Sequence, residues 1–153
     1  MRTRLSAIFD VSPEQTLLGN GSDELLNIIM RCFVDRGQTV IYPSPTYSYY
    51  KNLIQIQDAQ EVIVDFNKDF SLPQALLIED ARLTLIANPN SPSGTLVTFE
   101  EIETLAAAVH GILVVDEAYV DFSAGGCIGL IDKYPNTIVV RTMSKSFSLA
   151  GMR

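Results

Sequence analysis

The sequence contains no tryptophan, a single histidine (His110) and only two cysteines, Cys32 and Cys127. Zinc centres draw on His and Cys at short spacings, so this inventory leaves no dedicated metal site and no metal ligand is assigned. The two cysteines have neither redox nor metal spacing. Cys32 falls on the apolar stripe of a helical segment and reads as a small buried hydrophobe. Reduced thiols of this kind point to a cytoplasmic protein. Apolar runs stay well short of the ~18 residues that a membrane span needs. Residues 1–10 carry two arginines with no apolar stretch behind them, which is not the pattern of a secretory leader. Basic residues are also scarce, 11 against 18 acidic ones for a net charge of −7. They do not cluster, so the footprint of a nucleic-acid binder is missing. Neither G-x-x-x-x-G-K-[ST] nor G-x-G-x-x-G occurs, and a generic nucleotide-binding domain is unsupported.

What is present is a chain of 153 residues, 47% hydrophobic and 19% charged. That is about one globular domain with enough apolar material for a core. Strand-like and helical stretches alternate along it. Residues 22–34 place Leu25, Leu26, Ile28, Ile29, Cys32 and Phe33 at helical spacing, with Ser22 as N-cap. Residues 46–57 read as a second helix after the Pro43-Ser44-Pro45 break. Thr98 and Glu101 stand at capping-box spacing before a third, which ends at Gly111. Residues 39–42, 61–66, 83–87, 112–115 and 137–141 read as strands, several of them continuous apolar runs of the kind found in buried parallel sheets. Strands alternating with helices predict an α/β domain with a mostly parallel sheet. In such sheets ligands collect beyond the carboxyl ends of the strands.

Four polar segments lie at such places. The first is Gly19-Asn20-Gly21-Ser22-Asp23-Glu24. Its glycines allow close backbone approach, and the helix behind them offers free N–H groups to an anion. A phosphate would rest on the Ser22 hydroxyl and the N–H groups of Ser22 and Asp23. Taken alone, a plain glycine turn with Ser22 as N-cap is the more ordinary explanation. The second, 88–94, is a proline-rich loop containing Asn90, Ser91 and Ser93. The third is Asp116-Glu117-Ala118-Tyr119, directly after an apolar strand. A carboxylate held there needs a cationic partner such as a protonated ring nitrogen, or else Asp116 is a strand-end turn residue and Tyr119 a rim aromatic. The fourth runs from Arg141 through Thr142, Ser144 and Lys145 to Arg153. A lysine amine attacks aldehydes when unprotonated and partly desolvated, while Arg153 has a forked donor suited to phosphate. A helix beginning near Ser146 would bring Arg153 back toward the others. A solvated surface lysine is the ordinary alternative.

Taken in order, the segments GNGSDE, PTY, PNSPSG, DEAY and RTMSKSFSLAGMR resemble those of the fold-type I aminotransferases that use pyridoxal 5'-phosphate (PLP). The wording of the first and last is most similar to the histidinol-phosphate branch. The resemblance implies a three-layer α/β sandwich, the large (major) domain of a PLP-dependent transferase. It implies that Lys145 forms the Schiff base and shuttles protons, that Asp116 pairs with the pyridine nitrogen, and that Tyr119 bonds the phenolic oxygen. Tyr47 would stack on the ring. Ser22, Asp23, Thr142, Ser144 and Arg153 would hold the phosphate. In the family the asparagine at the position of Ser91 touches the phenolic oxygen; here Ser91 stands there with Asn90 before it, so both are candidate cofactor contacts.

The activity implied is transamination between histidinol phosphate and 2-oxoglutarate, a step of histidine biosynthesis. Threonine-phosphate decarboxylation or another class I transamination is the alternative within the class. Family members are more than twice as long, with an N-terminal arm and a C-terminal small domain. Residues 1–153 are therefore expected to form a partial large domain, homodimeric in its full-length form. A fragment that binds PLP without turnover is the non-enzymatic alternative.

Overall fold

The computed structural model describes residues 1–152; Arg153 lies outside them. Strands β1 (Thr39–Ser44), β2 (Gln60–Asp65), β3 (Ala81–Ala87), β4 (Ile112–Asp116) and β5 (Thr137–Val140) form one sheet in the order β2-β1-β3-β4-β5. Every ladder is parallel. The helices are α1 (Arg2–Phe9), α2 (Ser22–Phe33), α3 (Tyr49–Ile56) and α4 (Phe99–Ala108).

Successive side chains of a strand point to opposite faces, and here each face meets apolar cover. Val40, Tyr42, Leu83, Leu85, Val114 and Val140 pack with Leu26 and Met30 of α2 and with Tyr50, Leu53 and Ile54 of α3. Ile41, Ile86, Leu113 and Val115 pack on the other side with Ile102, Leu105 and Ala106 of α4. Burying a side chain such as Ile102 or Leu105 contributes about 1.5–3 kcal/mol, more than helix propensity supplies at any one position. The result is a sheet with helices on both faces, the α/β sandwich expected.

The α4 capping box forms, with Thr98 N–H donating to Glu101 Oε2 at 3.0 Å and Glu101 N–H to Thr98 Oγ1 at 3.2 Å. Several details differ from the sequence expectation. The cap of α2 is Gly21, not Ser22; its φ of 89° suits glycine, and Ser22 becomes the first helical residue. Helix α3 begins at Tyr49 rather than at position 46, after a turn in which Tyr50 N–H bonds Tyr47 C=O. Cys32 is exposed, not buried. It stands two residues beyond Met30, about 200° round the helix at 100° per residue, and so leaves the sheet-facing stripe. No helix begins near Ser146; among the described residues the chain from 143 onward is turns and bends.

Candidate active site

The β1–β3 register ends at Ile41 opposite Thr84, while the β1–β2 register continues to Ser44 opposite Asp65. Beyond Ile41, β1 is no longer laddered to β3, and the connection reverses direction across the sheet at this pair. A crevice at such a switch point is where open α/β sheets bind ligands. The pocket found here is built from the carboxyl ends of four strands and the start of α2. Tyr47 follows β1, Ser91 follows β3, Asp116 and Tyr119 come from β4, Ser144 and Lys145 follow β5, and Ser22 and Asp23 open α2. Its empty volume is about 510 Å³ with the open mouth included.

Asp116 is the buried end of this pocket. Its Oδ2 accepts a hydrogen bond from Tyr50 at 2.9 Å and its Oδ1 one from the Ala118 N–H at 3.2 Å. Both donors are neutral, and no ion pair to Asp116 exists among the described residues. Burial raises its pKa to about 6, opposed by the Tyr50 and Ala118 hydrogen bonds and assisted by the nearby negative charges of Asp23 and Glu117. Among the described residues an ionised Asp116 is thus a desolvated negative charge with no ion-pair partner, a state that a cationic ligand would relieve.

At the other end, Ser22 and Asp23 bring the N-terminus of a 12-residue helix to the pocket. Backbone N–H groups there have no intrahelical acceptor and favour an anion. Asp23 Oδ1 accepts from Tyr47 Oη at 3.2 Å, which fixes the Tyr47 ring at the pocket edge. Burial and the Asp23 carboxylate push the Tyr47 phenol up to about 12, so it stays a donor. Ser144 N–H donates to Thr142 Oγ1 at 3.2 Å, and the two hydroxyl oxygens lie 3.0 Å apart. Lys145 is exposed, with Nζ 5.2 Å from the centre of the Tyr119 ring.

Two candidate residues stand back from the pocket. Asn90 is buried, and its amide donates to Pro45 C=O at 2.9 Å and to Ser93 Oγ at 2.8 Å, tying the loop after β3 to the loop after β1. Thr142 supports Ser144 and does not line the pocket itself. The candidate phosphate contact Arg153 falls outside the described residues.

Three contributors escaped the sequence reading. Tyr50 looks like one more apolar position of a helix, and only the fold aims its hydroxyl at Asp116. Glu117 and Arg141 form an ion pair behind the pocket, Arg141 Nε to Glu117 Oε2 at 2.8 Å, with the Glu117 side chain fully buried. The Cys127 N–H also donates to Glu117, and a Cβ at Gly126 would come within 2.8 Å of the same carboxylate. The pair locks the segment carrying Asp116 and Tyr119 to the strand leading to Lys145. No periodicity signals it, because the partners are far apart in sequence.

Comparison with known proteins agrees with this architecture. Residues 1–153 match the model of the aminotransferase class I and II family. A histidinol-phosphate aminotransferase of Trichormus variabilis is 42% identical over 99% of this chain and 44% of its own length. One from Rhodopirellula baltica is 44% identical over 99% of this chain and 42% of its own. The crystal structure of histidinol-phosphate aminotransferase from Sinorhizobium meliloti in complex with pyridoxal-5'-phosphate superposes with a TM-score of 0.89 at 29% identity, covering 99% of this chain and 44% of that one. The chain therefore spans less than half the length of the curated relatives it matches. A Thermus thermophilus aspartate aminotransferase, at 24% identity and a TM-score of 0.89, shares the fold. The parallel sheet, the motifs at its carboxyl edge and the match along the entire chain lead to one conclusion: this chain belongs to the class I and II aminotransferase family.

Proposed function

We propose that residues 1–153 are the cofactor-binding large domain of a PLP-dependent aminotransferase that moves an amino group between histidinol phosphate and 2-oxoglutarate. The observation that carries the cofactor reading is one pocket with three complementary parts: a lysine amine, a buried carboxylate with no ion-pair partner among the described residues, and a helix N-terminus flanked by hydroxyls. That donor set fits a cationic ring with an aldehyde and a phosphate. The names of the relatives at 42% and 44% identity support histidinol phosphate as the amino substrate. The longer protein is read as a cytoplasmic homodimer, and the 153-residue chain alone as having little or no turnover.

When bound, PLP supplies an aldehyde that takes up the amino group and a ring that accepts electrons. Asp116 would present its negative charge to the ring nitrogen from the dry end of the pocket. Ser22, Asp23 and Ser144 would hold the phosphate through N–H and O–H donors, supported by Thr142 and completed by Arg153. Tyr47 would lie against the ring, and Tyr119 and Ser91 would donate to its phenolic oxygen. Lys145 would provide the nucleophilic nitrogen and carry a proton to and from the substrate's α-carbon. Its Nζ stands 5.2 Å from the centre of the Tyr119 ring, at the pocket.

The test is a visible absorbance spectrum of the purified chain mixed with PLP, beside Lys145→Ala. A cofactor band in the parent that is lost in the variant is expected. Identical spectra would overturn the assignment. A clear rate of 2-oxoglutarate-dependent histidinol phosphate consumption by the 153-residue chain would contradict the low-turnover reading.

A further inference from the structure

Tyr50 is fully buried near the start of α3. Its ring packs edge-on against Tyr42 and Tyr47, with centroids 6.0 and 5.7 Å apart. A buried phenol needs an acceptor, and a main-chain carbonyl would serve. Its acceptor is instead Asp116 Oδ2, on the buried carboxylate that lines the pocket. The second oxygen of that carboxylate takes the Ala118 N–H. Orientation is therefore set from two sides, by one bond from the same loop and one from another layer of the fold.

The chemistry of the donor matters. A lysine or arginine at this point would keep Asp116 ionised but cancel its charge. A tyrosine hydroxyl stabilises the anion and leaves the full negative charge to the ligand. We propose that Tyr50 is a positioning residue: its hydroxyl fixes the Asp116 carboxylate and keeps it ionised, so that the pocket offers an uncancelled negative charge to a cationic ring nitrogen. The ligand half of this proposal rests on the PLP reading above.

The groups around Asp116 bear on the sign. From α2 Asp23, and from its own strand end Glu117, disfavour a second negative charge, and burial disfavours it most. Glu117 is tied to Arg141. Tyr47 stands beside Asp23, and Lys145 lies across the same pocket. Tyr50 and the Ala118 N–H act in the opposite direction. Removing the Tyr50 hydroxyl therefore moves the Asp116 titration upward.

The experiment is a carboxyl ¹³C NMR titration of Asp116 in the cofactor-free 153-residue chain, with Asp116→Asn identifying the resonance. Tyr50→Phe keeps the ring and its packing. It is expected to raise the midpoint by about one pH unit, a tenfold change in acidity. Should that variant fail to fold, 3-fluorotyrosine at position 50 keeps the shape and strengthens the donor, and it is expected to lower the midpoint. An unmoved midpoint overturns the proposal. The second arm is PLP affinity at pH 5, below both Asp116 midpoints, where the ionised fraction differs about tenfold. Tyr50→Phe is expected to weaken it about tenfold in the parent and less than twofold in the Asp116→Asn background. Equal losses in both backgrounds would mean that Tyr50 serves packing alone, and would overturn its action through Asp116. No PLP binding by the parent would overturn the cofactor reading, while the NMR midpoint judges the Tyr50–Asp116 link separately.

Discussion

Asp116 makes the folded chain less stable than an uncharged residue would. Burial raises its pKa from 3.8 to about 6. Between those values the folded state keeps a proton that the unfolded state has released, so this group's contribution to stability falls as pH rises from about 4 to 6 and is level above that. Roughly two pH units correspond to on the order of 3 kcal/mol. In Asp116→Asn the amide oxygen accepts the Ala118 N–H and the amide N–H donates to the Tyr50 oxygen, while the Tyr50 O–H loses its acceptor, which offsets part of the gain. Urea unfolding of the cofactor-free variant is expected to show a gain on the order of 1 kcal/mol at pH 8 and a flatter profile from pH 4 to 6. A variant less stable than the parent at pH 8 would contradict this. The Glu117–Arg141 pair behaves oppositely, because its charges are already matched. Arg141→Met leaves a buried carboxylate facing only the Cys127 N–H, at a cost of roughly 3–5 kcal/mol. Denaturant midpoints are expected to show that loss, with much of it recovered in Glu117→Gln/Arg141→Met. At this scale the sequence singles out Lys145, Asp116 and Ser22, and the fold brings all three to one pocket. The sequence does not show Tyr50, whose hydroxyl is relevant only because α3 lies over β4.

The start of α2 depends on the backbone of one residue. Gly21 has φ 89° and ψ 167°, a region essentially reserved for glycine. Gly21→Ala is expected to destabilise by about 1–3 kcal/mol. It also shifts the Ser22 and Asp23 N–H groups and so weakens PLP binding. Unfolding and PLP titration of the same variant check both effects, and unchanged PLP affinity would separate the helix start from the anion site. The glycine-rich turn opening α2 was legible from composition, while the identity of the capping residue was set by the loop's path. Helix α1 offered nothing to read. Its one buried residue is Ser6, so no apolar stripe marks it. It is held by the Ser6–Thr16 hydroxyl contact and by Arg141 lying 4.9 Å over the Phe9 ring. Cys32 was misread because helical spacing alone does not say where an apolar stripe ends.

Across the whole molecule, the sheet was legible because its central strands are buried on both faces and read as unbroken apolar runs, as in Leu113-Val114-Val115. Their order was not, since the position of β1 between β2 and β3 depends on crossovers that leave no local signature. The pocket followed from a general property of parallel sheets, the collection of polar loops at one edge. The central claim is that this edge assembles a PLP site around one particular amine. The chain has four lysines, Lys51, Lys68, Lys133 and Lys145, and PLP in excess labels any accessible amine. The most direct measurement is therefore borohydride reduction of the chain with stoichiometric PLP, followed by peptide mapping. A single phosphopyridoxyl group on Lys145, displaced by little competing label, is the expected result. Label spread over the four lysines would contradict the account, since it would show that the pocket gives Lys145 no advantage over a surface amine.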